Sequence, residues 1–205
     1  METVTVISGD PGSKNFAISV IEGALVEGKV KIRLHGTTML PEEARLFDLT
    51  KDIQIPLGNY RNVLRNLARE YGSPAAVCFE RFQTRGILGK TIECISMMNA
   101  VPPLIFGKAD VRVITAATWK NRINRFIDLK ASYKEYKLTR VASLKRDHEL
   151  DACLIGIYMI HKHFDVPDFQ IFENDGNFHR FMEKFLESPD LELDWSKPNA
   201  LRKKS

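Results

Sequence analysis

The sequence lacks the features of a membrane-spanning or disulfide-stabilised protein. No apolar run in its 205 residues approaches the length that crosses a bilayer, and its first residues lack the basic and apolar regions of a secretion signal. It has only three cysteines, Cys78, Cys94 and Cys153, which stand singly in apolar segments without a CxxC pair. We therefore expect a cytoplasmic protein without membrane contact, with buried free thiols and no zinc site.

The net charge of +4 hides an uneven distribution of charge along the chain. Residues 108–146 hold eleven Lys or Arg against three acidic residues, whereas residues 165–194 hold nine acidic residues against two basic ones. Such a basic segment is typical of a surface that binds a polyanion, and it is also typical of solvated helices. The length suits one core, so we expect a single domain over residues 1–164 and a helical extension over residues 165–205 packed on it.

The spacing of apolar residues predicts three strands, a helix, a strand, a helix, a strand and further helices. The predicted strands cover residues 4–8, 16–21, 29–38, 75–79 and 111–114, and the predicted helices cover residues 57–71, 87–100, 117–124, 129–141, 146–163 and 178–185. We expect Gly72 to end the first helix and the pair Pro102-Pro103 to stop the second. This order predicts an α/β fold with a five-stranded mixed sheet flanked by helices, three strands antiparallel and two parallel.

Four side chains that bind metals stand at special places in this order. Asp10 follows the first strand, Glu80 follows the fourth, and Asp151 opens the apolar stretch of a late helix. His148 lies three residues before Asp151 and shares its helical face, while Asp147, four residues before Asp151, competes for the same role. Three neighbouring carboxylates repel each other unless cations intervene. The cluster therefore predicts a Mg²⁺ site, in which two ions promote hydrolysis of a phosphodiester.

Each of these four residues also has a simpler interpretation. Asp10 in Asp-Pro-Gly is typical of a turn, and Glu80 is typical of an exposed acid at a strand end. His148 and Asp151 suit the first turn of a helix, where the helix dipole acts on charged groups. Their joint placement favours the metal site.

Three motifs, VISGDPGSKNFAISVIE, VCFERFQTRG and DHELDACLIGIY, resemble the RuvC-type Holliday junction resolvases of the ribonuclease H-like superfamily. That family has an Asp in a D-P-G turn after its first strand, a Glu after its fourth strand and a D/H-x-x-D-A pair in its final helix. Asp10, Glu80 and Asp151 match these positions, and His148 takes the position that holds Asp or His in the family. The resemblance covers roughly residues 3–160. It implies the ribonuclease H-like fold and a homodimer that nicks four-way or otherwise branched DNA symmetrically, with Mg²⁺ or Mn²⁺.

The resemblance also implies which residues contact DNA. The loop after Glu80 probes the junction core in the family, and here it includes Phe82, although Phe82 is also typical of a core residue. Lys120 matches a family Lys that contacts the scissile region, so we expect it to be catalytic. Trp119 is predicted to be a core anchor rather than a stacking platform. The expected DNA contacts are Phe82, Gln83, Arg85, Lys120, Arg122 and Lys130.

Two parts of the sequence depart from the family pattern, the connection at residues 42–52 and the acidic extension at residues 165–205. Such divergence is typical of a bacteriophage member, which would act in the host cytoplasm. An alternative is a ribonuclease H-like nuclease that acts on other branched DNA or on structured RNA. An actin-like or sugar-kinase-like ATPase needs two such domains, so we expect no nucleotide cofactor. A non-catalytic DNA-binding protein is disfavoured, because clustered carboxylates that serve no function destabilise a fold.

Overall fold

Five strands and five helices follow one another in the part of the chain that the structure, a computed structural model, describes: residues 2–12, 16–81, 89–125 and 146–165. In chain order they are β1 (Glu2–Asp10), β2 (Ala17–Val26), β3 (Lys29–Met39), α1 (Gln54–Tyr71), β4 (Ala76–Arg81), α2 (Lys90–Asn99), α3 (Val101–Ile105), β5 (Asp110–Thr115), α4 (Ala116–Ile123) and α5 (Arg146–His163). A single 3-10 turn, Glu42–Ala44, lies between β3 and α1. No helix within the described ranges is long and apolar enough to cross a membrane.

The strands form one sheet in the order β3-β2-β1-β4-β5. β1, β2 and β3 pair antiparallel as a meander, whereas β4 pairs parallel with both β1 and β5. This mixed five-stranded sheet confirms the predicted fold class. Because β1 and β4 run in the same direction side by side, their carboxyl ends meet at one edge of the sheet.

Side chains along each strand alternate between two hydrophobic layers, one on each face of the sheet. Val6 of β1 and Cys78 of β4 face a layer built with α4 and α5. Ile7 and Phe79, their neighbours in sequence, face the opposite layer, which is built with α1, α2 and the 42–53 connection. The connection that matched no family pattern therefore covers one face of the sheet.

Helix α5 is apolar on nearly every side, and it lies unusually close to the sheet. Its core residues from Ala152 to Ile157 are almost all without solvent exposure, which is typical of a fully buried helix. The Ser8 hydroxyl of β1 donates a 2.7 Å hydrogen bond to the carbonyl of Ala152. At Gly156, a Cβ atom would lie 2.6 Å from the Ser8 Oγ and 2.8 Å from Ile21 Cδ1, so only glycine permits this approach. The first half of α5 is thereby held directly above β1.

The structure corrects the predicted ends of several elements, and β2 runs to Val26, five residues beyond its predicted end. Asp10 is the last residue of β1, paired with Ala17, rather than the first residue of a turn. Glu80 likewise lies within β4, because it pairs with Ile114 of β5. The second helix ends before the proline pair, one residue earlier than predicted, and the pair lies in a new helix. α2 ends at Asn99, and Pro102 lies in the first turn of α3, where a missing N–H removes no helical hydrogen bond.

Other predictions are confirmed within the described residues. Gly72 ends α1 with a φ of +97°, a backbone conformation that glycine adopts without strain. The bounds of α5 agree with the predicted helix, and the three cysteines are free and buried. The predicted helices at residues 129–141 and 178–185, and all but the first residue of the 165–205 extension, lie outside the described residues.

Candidate active site

Two carboxylates lie at the carboxyl ends of adjacent parallel strands. Gly9 of β1 pairs with Phe79 of β4, and Asp10 and Glu80 each follow this pair directly. Since side chains alternate along a strand, Asp10 lies on the same face as Ser8, which is the face covered by α5. Asp10 is 9% exposed and Glu80 is partly buried. The two strands therefore bring both acids to one edge of the sheet, as the sequence predicted.

Helix α5 adds an imidazole and a third carboxylate beside these acids. His148 Nδ1 lies 2.6 Å from Asp10 Oδ2, and because a carboxylate only accepts, the imidazole N–H donates. Asp151, three residues later, is also 9% exposed. Of the two competing residues, His148 faces Asp10, while Asp147 acts on the imidazole through its charge.

Helix α4 contributes two consecutive residues that each hold one of the carboxylates. The indole N–H of Trp119, a fully buried side chain, donates a 2.8 Å hydrogen bond to Glu80 Oε2. The ammonium group of Lys120 donates a 2.9 Å hydrogen bond to Asp151 Oδ2 and lies 4.8 Å from the centre of the Trp119 ring. Trp119 is thus a core anchor, as predicted, and also a donor that fixes the orientation of Glu80.

The electrostatics of the site are those of crowded negative charge. Burial, followed by the charges of Asp10 and Asp151, raises the pKa of Glu80 to about 7, although the Trp119 hydrogen bond opposes the shift. The hydrogen bond to Asp10 raises the pKa of His148 against the effect of burial. Burial lowers the pKa of Lys120, but the charge and hydrogen bond of Asp151 outweigh it, so the net shift is upward. A nearby cation, or a proton on one of the carboxylates, would reduce each of these upward pKa shifts, because it offsets the negative charge of the site.

The donor set suits a hard cation, but the side chains are not arranged around one. Three carboxylates and an imidazole supply ligands of the kind that Mg²⁺ and Mn²⁺ accept. Among the described residues, no group of three His, Cys, Asp or Glu side chains is positioned to hold a common metal ion. Each carboxylate instead accepts a hydrogen bond on one oxygen, from His148, Trp119 or Lys120. Since a carboxylate has two oxygens, each can keep its donor and still supply a ligand.

The remaining predicted site residues fall in two places. Arg122 of α4 lies away from the carboxylates, in a separate cavity between α4 and α5. Phe82, Gln83, Arg85 and Lys130 lie outside the described residues.

Sequence reasoning missed the role of Trp119 as the donor to Glu80. A buried tryptophan normally needs an acceptor for its N–H, and this requirement is the available signal. Its neighbour in sequence, Lys120, was predicted to lie at the site, but sequence alone does not say which carboxylate either residue contacts.

No family model matches the chain, and no curated protein sequence matches it. Similarity to solved structures is nevertheless clear. RuvC from Thermus thermophilus is 18% identical, with a TM-score of 0.53 over 78% of this chain and 96% of that one. T. thermophilus RuvC in complex with a Holliday junction substrate is 19% identical, with a TM-score of 0.52 over the same shares of the two chains.

The yeast mitochondrial Holliday junction resolvase Ydc2 is 18% identical, with a lower TM-score of 0.46 over 86% of this chain and 83% of that one. The similarity to RuvC confirms the resemblance seen in the sequence at the level of fold. The chain has the five-stranded, ribonuclease H-like fold of RuvC.

Proposed function

We propose that the chain is a metal-dependent DNA endonuclease that resolves four-way junctions by paired symmetric nicks. The observation that carries the proposal is the convergence of Asp10, Glu80, Asp151 and His148 at one sheet edge, within a fold shared with RuvC. Fold alone does not assign an activity, so the chemistry of this cluster carries the proposal. The RuvC structure in complex with a Holliday junction substrate supports a junction as the substrate here.

Asp10, Glu80, His148 and Asp151 would hold two Mg²⁺ ions, for which Mn²⁺ substitutes. Two ions about 4 Å apart activate a water molecule and stabilise the leaving oxygen of a phosphodiester. The pKa of Glu80, raised to about 7 by burial and then by the charges of Asp10 and Asp151, supports this assignment, because a bound cation would offset the cost of a negative charge at this position.

The neighbouring residues orient the carboxylates and neutralise charge. Trp119 holds one oxygen of Glu80, so the other oxygen has a fixed direction. Lys120 holds Asp151, and its permanent positive charge beside the cluster would offset the negative charge of the scissile phosphate. His148, with its N–H on Asp10, either supplies a ligand or moves a proton at the attacking or leaving oxygen.

A four-way junction requires two nicks, and the part of the chain that the structure describes contains one such cluster. We therefore propose that two copies form a homodimer and that each copy cuts one strand. Lys120 and Arg122 would contact DNA, together with Phe82, Gln83, Arg85 and Lys130. The extension at residues 165–205 would pack on the nuclease domain, and a cytoplasmic location remains a prediction.

The proposal is tested by a Mg²⁺-dependent cleavage assay on immobile and mobile four-way DNA junctions, with every nick mapped. Linear duplex, flap and fork DNA and an RNA hairpin serve as comparison substrates. We expect paired nicks at symmetric positions on opposite strands of the junction and much slower cutting of the other substrates. RNA cut as fast as the junction, or faster, would replace the proposal with a ribonuclease H-like nuclease for structured RNA. Preference for flaps or forks would replace it with a nuclease for other branched DNA.

A further inference from the structure

A polar cavity lies at the end of α5 away from the carboxylate cluster, between that helix and α4. Its volume is about 330 Å³. None of the four carboxylate-cluster residues lines it. The lining residues are Thr118, Asn121, Arg122, Arg125, Tyr158, His161, Lys162 and Asp165.

The charge of this cavity is opposite to that of the carboxylate cluster. Arg122, Arg125 and Lys162 bring three permanent positive charges to its wall, against the one carboxylate of Asp165. Arg125 and Lys162 are exposed, so their head groups remain open to a ligand. The buried imidazole of His161 adds a further polar group. The lining thus offers several hydrogen-bond donors around an excess of positive charge.

Stabilisation of the α5 terminus does not by itself account for this arrangement. Basic side chains in the last turn of a helix compensate the partial negative charge there, and Lys162 suits that role. Arg122 and Arg125, however, come from α4 and the residues that follow it. Positive charges from two separate segments converge on one cavity. This convergence favours a negatively charged ligand.

We propose that this cavity binds a backbone phosphate of a DNA arm, at a distance from the cut, an inference that rests on the proposed function. Guanidinium groups bind phosphate through paired N–H donors, and a lysine ammonium adds a point charge. Phosphate contacts position a protein on DNA without reading its sequence. The cavity therefore anchors an arm of the substrate while the carboxylate cluster cuts it.

The geometry of α5 gives the spacing between the two sites. Asp151 and Lys162 are eleven residues apart on the same helix. At 1.5 Å per residue they are about 16 Å apart along its axis. Successive phosphates of one strand rise about 3.4 Å along a duplex, so for an arm that lies parallel to α5 this span corresponds to roughly five nucleotides. The anchored phosphate is expected at about that distance from the scissile phosphate.

The test compares two double variants that each remove two positive charges. Arg125→Gln with Lys162→Gln changes the cavity, and Lys29→Gln with Lys31→Gln changes exposed residues on β3, at the opposite edge of the sheet. Junction affinity is measured by fluorescence anisotropy over a range of salt, in an Asp10→Asn background that keeps the DNA uncut. We expect the cavity variant to bind about five- to tenfold more weakly, with the salt slope reduced by about one. The β3 variant should bind within about twofold of the unaltered protein.

A second arm locates the phosphate by replacing single junction phosphates with neutral methylphosphonates, three to seven nucleotides from the cut. One position should weaken binding by the protein with an intact cavity and leave the cavity variant unaffected. Cleavage at saturating junction concentration, in the protein with Asp10 intact, should not change in the cavity variant. Thermal unfolding checks that each variant folds. The single variants Arg125→Gln and Lys162→Gln can be tested in the same way, with a smaller expected loss of affinity.

The outcomes separate failure of the cavity from failure of the function. If the protein cuts junctions but the cavity and β3 variants bind alike, the anchor is wrong and the proposed function stands. If the protein neither binds nor cuts junctions, both proposals are wrong. Inorganic phosphate is the control for a free-anion site. Calorimetric binding of phosphate to the cavity, with junction affinity unchanged in the cavity variant, would overturn the assignment to DNA.

Discussion

The two ends of α5 place opposite charges on the two sites that it borders. Its first turns bring Asp151 and His148 beside the strand-end acids Asp10 and Glu80. Its last turn brings Lys162 to a cavity with Arg122 and Arg125 of the neighbouring segment. The first group is largely buried and each carboxylate is held by a donor, whereas Arg125 and Lys162 are exposed to solvent.

This difference separates a site suited to chemistry from a surface suited to holding DNA. Burial makes the charges of the carboxylate cluster act strongly on one another, as the pKa of Glu80 at about 7 indicates. Solvent screens the exposed charges of the cavity, so they cost little stability, and they attract a phosphate within about one Debye length of the surface. Changes at the first end should therefore affect cleavage, and changes at the second should affect binding.

The largest expected effect comes from removing a carboxylate charge. Asp10→Asn and Asp151→Asn should each lower the rate of junction cleavage by at least about a thousandfold, since each removes a proposed metal ligand. Junction affinity should stay equal or rise, because less negative charge faces the DNA phosphates. Single-turnover cleavage and anisotropy measure the two quantities separately. Undiminished cleavage by either variant would show that this cluster is not the active site. The contrast between the two ends of α5 would then no longer hold.

Trp119→Phe should sharpen the comparison, because it alters the hydrogen bonding of one carboxylate alone. Loss of the indole N–H removes a hydrogen bond that lowers the pKa of Glu80, so a larger fraction of Glu80 carries a proton near neutral pH. We expect cleavage to fall about tenfold at pH 6.5 and less at pH 8.5, with more Mg²⁺ needed for half-maximal activity.

Ile123→Val is the matched control for Trp119→Phe. It also removes buried volume from α4, in the same core layer, but does not touch a carboxylate. It should cost about 1 kcal/mol of stability and leave the Mg²⁺ and pH dependence of cleavage unchanged. If the Mg²⁺ and pH dependence of cleavage is identical in the two variants, Trp119 contributes only packing.

Gly156→Ala tests the segment of α5 that joins the two ends. The added methyl group would meet Ser8 Oγ and Ile21 Cδ1, so the helix must move away from β1. We expect a loss of about 1–2 kcal/mol in the free energy of unfolding, after allowing for the higher helix propensity of alanine. Chemical denaturation measures this loss.

Gly58→Ala on α1 provides the control, because no atom lies within 4 Å of its added Cβ. That variant should gain up to about 1 kcal/mol in the free energy of unfolding. Adding Ser8→Ala to Gly156→Ala should recover part of the loss by removing the obstructing hydroxyl. A Gly156→Ala protein as stable as the Gly58→Ala protein would contradict the close packing of α5 on β1.

The last prediction concerns the pH dependence of stability without metal. The folded-state pKa of Glu80 is raised from 4.5 to about 7, so its ionisation destabilises the fold as pH rises through this range. The raised pKa of His148 gives a stabilisation that is present below 6.5 and lost as pH rises through the folded-state value. Both contributions lower the melting temperature between pH 5 and pH 8 in the presence of a chelator.

Glu80→Gln isolates the first of these contributions, because it removes the titrating group. The melting temperature of this variant should fall less between pH 5 and pH 8. Added Mg²⁺ should also reduce this fall in the unaltered protein. A melting temperature that rises from pH 5 to pH 8 relative to Glu80→Gln would contradict the crowding of charge at this end of α5.

Much of the fold could be predicted from the sequence, because its signals are local. Alternating apolar residues gave the strands, and the unbroken apolar stretch after Asp151 gave α5 with its observed bounds. Strand ends were less predictable, since pairing with a neighbour extends a strand beyond its own apolar residues. Asp10 and Glu80 became strand residues in this way, through pairing with β2 and β5.

The contacts within the site could not be predicted, because they depend on distances between elements far apart in sequence. Trp119 and Glu80 are 39 residues apart, and the sequence does not reveal how closely α4 approaches β4. The cavity likewise depends on how two segments pack, so Lys162 had no signal that linked it to Arg122. What the sequence did predict was the meeting of Asp10 with His148, because the family pattern sets both positions.

The most direct test of the account is to locate bound Mn²⁺ in crystals by anomalous diffraction. The account predicts two peaks about 4 Å apart, contacted by carboxylate oxygens of Asp10, Glu80 and Asp151, with His148 at one of them. The Asp151→Asn protein should lose at least one of the peaks. Mn²⁺ bound only elsewhere, or absent from this cluster in a protein that cleaves junctions under the same conditions, would contradict it.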